Sequence, residues 1–134
     1  MTPVLDTHAW IWWVHADERL GASTLAALDA LPADQRPAIS AISLWEVATL
    51  VERGRLDVGT RLDRWLGHAA DPRTVQVLPI TAAVATEVAE LPSAFQRDPA
   101  DRLIVATCRA LGRPLVTHDR AILDSRLVRR WTRP

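Results

Sequence analysis

Residues 98–119 read DPADRLIVATCRALGRPLVTHD. Asp98 suits a helix cap, Pro99 the first helical position and Asp101 the third, while Gly112 suits the close of the helix so opened. The short apolar run that follows, Leu-Val-Thr at 115–117, predicts a strand, and Asp119 stands at its carboxyl end. The same alternation extends outward in both directions. Strands are predicted over 3–6, 38–40, 75–79 and 127–131. Helices are predicted through 10–14, over 23–31 up to Pro32, from Ser43 to Gly54, and over 60–69 and 81–91. Ser43, three residues before Glu46, reads as the start of a capping box, S-L-W-E. Short strands alternating with longer helices predict an α/β fold, a central parallel sheet of about five strands flanked by helices. One domain spanning residues 1–134 accounts for the whole chain.

Composition narrows the function classes. The chain is 49% hydrophobic and 24% charged, and no apolar run approaches the roughly 20 residues of a membrane span. All 16 basic residues are arginine and 16 acids balance them, so a protein that coats nucleic acid through net charge is excluded. The balance hides a gradient, with seven Arg against twelve acids in residues 1–96 and nine Arg against four acids in 97–134. Arg97, Arg102, Arg120 and the cluster Arg126, Arg129, Arg130 and Arg133 are candidates to hold phosphates near the acids. The single cysteine, Cys108, fits a reducing compartment and a buried packing role. The first ten residues, MTPVLDTHAW, lack the basic leader of a signal peptide, and a cytoplasmic location is expected.

In open parallel sheets, side chains at the carboxyl ends of strands and at the starts of the next helices converge on one crevice. Asp6, Glu46, Asp98, Asp101 and Asp119 all fall at such positions. Each also has an ordinary structural use. Asp6 and Asp98 can cap helices, Glu46 can complete the capping box, and Asp119 can form a turn. Taken together they predict more. Two carboxylates about 4 Å apart repel by roughly 4 kcal/mol at an effective dielectric near 20, so a cluster calls for protonation or a cation. A donor set of carboxylates, without paired Cys or His spacing, suits Mg2+ or Mn2+ rather than zinc. Such ions orient water and stabilise charge on a phosphodiester.

The segments VLDTHAW, SLWE, DPADRLIVAT and LVTHDR, in this order over nearly the whole chain, resemble a PIN-domain ribonuclease of the VapC toxin type. The resemblance implies a PIN-like domain and a Mg2+-dependent endoribonuclease. It makes Asp6, Glu46, Asp101 and Asp119 the acidic quartet and Asp98 an additional acid. Thr7, Arg102 and Thr117 match the polar neighbours that would contact substrate. It also implies a homodimer and inhibition by a small co-expressed antitoxin.

His8 and His118 border the acids as polar rim residues. Trp10, Trp12 and Trp13 are expected to pack in the core, and Trp45 to be buried beside Glu46. A receiver domain with Mg2+ at rim acids needs a lysine, and this chain has none. A haloacid-dehalogenase-type phosphotransferase needs D-x-D, whereas residues 6–8 read Asp-Thr-His. The remaining competitor is a catalytically silent module of the same fold that only binds RNA or protein.

Overall fold

The computed structural model describes residues 2–132. In chain order the elements are β1 (Val4–Leu5), α1 (Thr7–Val14), α2 (Ala22–Asp29), β2 (Ala38–Ser40), α3 (Ala41–Glu52) and α4 (Leu62–Ala69). Then come β3 (Gln76–Leu78), α5 (Ala82–Glu90), α6 (Pro99–Leu111), β4 (Leu115–Val116) and α7 (Arg120–Ser125). Short 3-10 turns at Glu18–Leu20 and Ala33–Gln35 flank α2. The sheet is parallel, in the order β3-β2-β1-β4. It has four strands rather than about five. The expected strand at 127–131 is reduced to one parallel bridge between Arg130 and Leu115.

The register explains the two-sided core. Leu5 pairs with Ile39 and with Val116, and all three enter one apolar cluster with Trp10, Leu28, Val47 and Trp65 from α1 to α4. Val4 pairs with Ala38 and with Leu115, and these enter a second cluster with Ile104, Val105, Cys108 and Ile122 from α6 and α7. Successive strand residues point to opposite faces, so residues this apolar must be covered on both sides. Trp10 is fully buried and crosses Trp65 edge-on at 5.1 Å. Its indole N–H donates to the Ala69 carbonyl at 3.0 Å, and that of Trp65 donates to Nε2 of His15 at 2.9 Å. Both large rings are thus buried without orphaning a donor.

One predicted helix start changes and one helix is added. Ser40, the last residue of β2, accepts from the Ile42 amide at 3.2 Å and caps α3. The strand passes into the helix without a loop, so Ser43 lies inside the first turn, where its hydroxyl meets that of Thr7 at 2.9 Å. The capping box at Ser43 is therefore not formed. Helix α7 was not expected, and its cap is Asp119, whose Oδ1 accepts from the Ile122 amide at 3.2 Å.

Candidate functional site

The chain runs β1-β2-β3 outward on one side of β1 and returns to place β4 on the other. Strand order therefore reverses beside β1, and the crevice beyond the carboxyl ends of β1 and β4 is where such sheets hold ligands. A cavity of about 320 Å3 lies there, lined by Asp6, Thr7, His8, Trp12, Glu46, Asp98, Asp101, His118 and Asp119. Five acids from four separate parts of the sequence share it.

Local structure fixes each acid. Asp6 ends β1 and caps α1, with Oδ1 accepting from the Ala9 amide at 2.8 Å and Oδ2 accepting from the Thr117 hydroxyl. Asp98 caps α6, its Oδ1 accepting from the amides of Ala100 at 2.9 Å and Asp101 at 3.3 Å, with Pro99 following as predicted. Asp101 extends from the first turn of that helix, Asp119 caps α7, and Glu46 lies in the middle of α3.

The electrostatics follow from this crowding. Asp101 is pushed up from 3.8 to about 7, chiefly by burial, then by Asp98, with Glu46 and Asp119 adding and the Gln96 hydrogen bond opposing. Burial also raises Glu46, opposed by the Thr7 hydroxyl and reinforced by Asp98 and Asp6. Asp6 is raised by burial, against the hydrogen bonds from Thr117 and Ala9. The cluster resists holding all of its negative charge unaided.

Among the described residues, no three acid, histidine or cysteine side chains already form a metal cage. Mg2+ does not require one, since it keeps several waters and commonly takes only one or two carboxylates directly. The hard oxygen donors, with Asp6, Glu46 and Asp101 raised by burial, fit such a cation.

The polar neighbours stand differently to the cavity, which Thr7 lines and Thr117 and Arg102 do not. Thr117 is buried, donates to Asp6 and accepts from the Asp119 amide at 3.0 Å, so its hydroxyl is fully engaged. Thr7 is buried between Ser43 and Glu46 at the crevice wall. Arg102 turns away from the cavity, its guanidinium donating to the carbonyls of Phe95, Gln96 and Val88 at 3.3–3.4 Å. Adjacent residues on a helix do not face one another, which is why Arg102 cannot follow Asp101 into the crevice.

Arg126 and Arg129 are also displaced from the acids. The bridge of Arg130 to the start of β4 draws this segment to the opposite end of the sheet. There they line a separate cavity of about 290 Å3 with Arg109 and Arg113. Arg133 lies outside the described residues. Trp45 is 56% exposed rather than buried. Trp12, expected in the core, is half-buried against the first apolar cluster and also forms a crevice wall, its ring 5.9 Å from His8 and 5.7 Å from His118, with Arg19 over it at 5.4 Å. Gln96 was missed altogether. Its amide nitrogen donates to Oδ2 of Asp101 at 2.6 Å and reaches Oδ2 of Asp119 at 3.5 Å.

The parallel sheet and its reversal beside β1 define an α/β domain with a rim crevice, and residues 4–125 match the PIN domain family, to which this chain belongs. Its VapC-type membership rests on similarity to Ribonuclease VapC22 of Mycobacterium tuberculosis, 38% identical over 125 residues, which cover 93% of this chain and 92% of that protein. Two solved structures share the fold. The crystal structure of VapBC2 from Rickettsia felis bound to a DNA fragment from their promoter superposes with a TM-score of 0.68 at 19% identity, covering 98% of each chain. A toxin-antitoxin complex from Klebsiella pneumoniae gives 0.61 at 21% identity, covering 88% of this chain and 87% of that one.

Proposed function

We propose that this chain is the toxin of a type II toxin-antitoxin pair, a Mg2+- or Mn2+-dependent endoribonuclease that hydrolyses RNA phosphodiester bonds in the cytoplasm. The observation that carries this reading is the convergence of five carboxylates on one cavity at the strand-order reversal. The relatedness to a named ribonuclease supports the choice of RNA, and the fold shared with toxin-antitoxin complexes supports a protein inhibitor. A homodimer belongs to the same proposal.

Asp6, Glu46, Asp101 and Asp119 would hold the cation, with Asp98 as an additional acid at the rim. When bound, the cation supplies charge that offsets the carboxylates, polarises the phosphodiester and activates the attacking water. The protein supplies the positioning. Thr117 fixes Asp6 and the Asp119 backbone, and Thr7 supports Glu46. Arg102 acts through the loop it clamps rather than through the substrate. Trp12, His8 and His118 form a wall against which a nucleotide beside the scissile bond would lie.

The test is RNA cleavage with Mg2+ or Mn2+ by the wild type and by Asp6→Asn. Loss of a single buried carboxylate of the cluster is expected to reduce the rate at least a hundredfold, the scale for removing a group that stabilises transition-state charge. Equal rates would overturn the nuclease reading and leave a binding module of the same fold.

A further inference from the structure

Gln96 occupies an unusual position for a neutral side chain. Its carboxamide nitrogen lies 2.6 Å from Oδ2 of Asp101 and 3.5 Å from Oδ2 of Asp119, between carboxylates that arrive from α6 and from the end of β4. Only the NH2 end of an amide has hydrogens to offer two carboxylates, because its oxygen would meet them with a lone pair. One nitrogen carrying two N–H groups thus stands where the negative field of two acids overlaps.

The loop holding Gln96 is fixed independently of these contacts. Phe95 is buried in the second apolar cluster, and its amide donates to the Pro92 carbonyl at 3.0 Å. The Arg102 guanidinium clamps the Phe95 and Gln96 carbonyls from behind, and Asp98 begins α6 two residues later. The backbone therefore presents the side chain to the acids rather than following it there.

We infer that Gln96 is a positioning residue that stands in for the cation in the metal-free protein, bridging Asp101 and Asp119 through its amide nitrogen until the cation takes over those oxygens. This rests on the proposed metal-dependent site. The substitute donates hydrogen bonds to both acids but adds no net charge, so it holds the pair without satisfying it. Binding the cation then breaks the Gln96 contacts, and the intact protein binds more weakly than a variant without the amide. An N–H bond to a carboxylate is among the stronger neutral-donor contacts, so its loss corresponds to about tenfold in affinity.

Gln96→Met keeps the length and bulk of the side chain while removing both donors, and Gln96→Ala removes the side chain. Mn2+ affinity is measured by isothermal titration at pH 8, with thermal unfolding followed in parallel. Both variants are expected to melt below wild type without metal, to bind Mn2+ about tenfold more tightly, and to converge on the wild-type melting temperature at saturation. A lower melting temperature with unchanged or weaker Mn2+ binding would make Gln96 a structural or supporting residue and overturn the inference. Absence of any Mn2+ response in all three proteins would overturn the metal reading itself, and this inference with it.

Discussion

Asp101→Asn offers the sharpest separation between a crowded acid cluster and a set of ordinary helix-start residues. In the folded protein the Asp101 carboxyl is raised from 3.8 to about 7, burial first and Asp98 second. The folded state therefore keeps a proton that the unfolded chain has already released between about pH 4 and pH 7. Its stabilising contribution is fully present below the unfolded value and is lost as pH rises through the folded one. Three powers of ten at 1.36 kcal/mol each set a ceiling of about 4 kcal/mol. Solvent enters the crevice and screens the group, which reduces this to about 2 kcal/mol. Asparagine imitates the protonated form, so at pH 8 without metal the variant should be the more stable protein by that amount, a melting temperature higher by roughly 6 °C. At pH 4, close to the unfolded value, most of that loss has not yet set in and the two should agree within about 0.5 kcal/mol. Millimolar Mg2+ at pH 8 should narrow or reverse the difference, because only the wild type has the full ligand set. Urea denaturation at both pH values, with and without Mg2+, measures all of this. A variant that differs from wild type to the same degree at pH 4 and pH 8 would show that Asp101 is not under pressure from its neighbours, and the electrostatic argument for the site would fall.

Thr117→Val removes the hydroxyl that donates to Asp6 and accepts from the Asp119 amide. The cost is expected at about 1–3 kcal/mol in denaturant unfolding. With its opposing hydrogen bond gone, Asp6 is raised further, so the Mg2+-induced gain in melting temperature should begin at higher pH than in wild type. Cys108 is buried and its thiol is pushed up to about 12, mainly by that burial. Ellman's reagent at pH 8 should leave it unmodified in the native protein and titrate one thiol after unfolding; rapid native labelling would contradict the packing of α6 against the sheet.

The rim acids were legible because a parallel sheet leaves few places for strand-terminal side chains to go. Asp6, Asp98, Asp101 and Asp119 follow from the alternation of strand and helix once strand ends are located. Ser43 was misread because Ser40 and Ser43 offer two caps three residues apart, and only the absence of a loop after β2 decides between them. The short apolar stretch after Leu127 resembled a strand, yet a single bridge to Leu115 is all that forms. Trp12 was hidden among its neighbours. At 100° per residue it points about 200° from buried Trp10, which carries it to the crevice while Trp10 fills the core. Gln96 had no local signal. Its role arises from a loop closed by Phe95 and Arg102, contacts that no periodicity in the sequence encodes.

The capping role and the proposed catalytic role of these acids are parts of one arrangement. Oδ1 of Asp6, Asp98 and Asp119 accepts from backbone amides at the starts of α1, α6 and α7. A cap of this kind stabilises a helix by about 1 kcal/mol and fixes the rotamer of the side chain that makes it. With Oδ1 anchored, the orientation of Oδ2 is fixed as well. In Asp6 it meets Thr117, and in Asp119 it faces Gln96 and Asp101 across the crevice. Three helix amino termini also converge on this region, and their aligned dipoles favour negative charge there. The helices thus provide part of the field that lets several carboxylates coexist, while burial and mutual repulsion keep Asp101 short of full ionisation at neutral pH. Asparagine retains the capping oxygen and alanine does not, so only the Asp→Asn series isolates the charge, whereas the alanine series measures charge and helix start together.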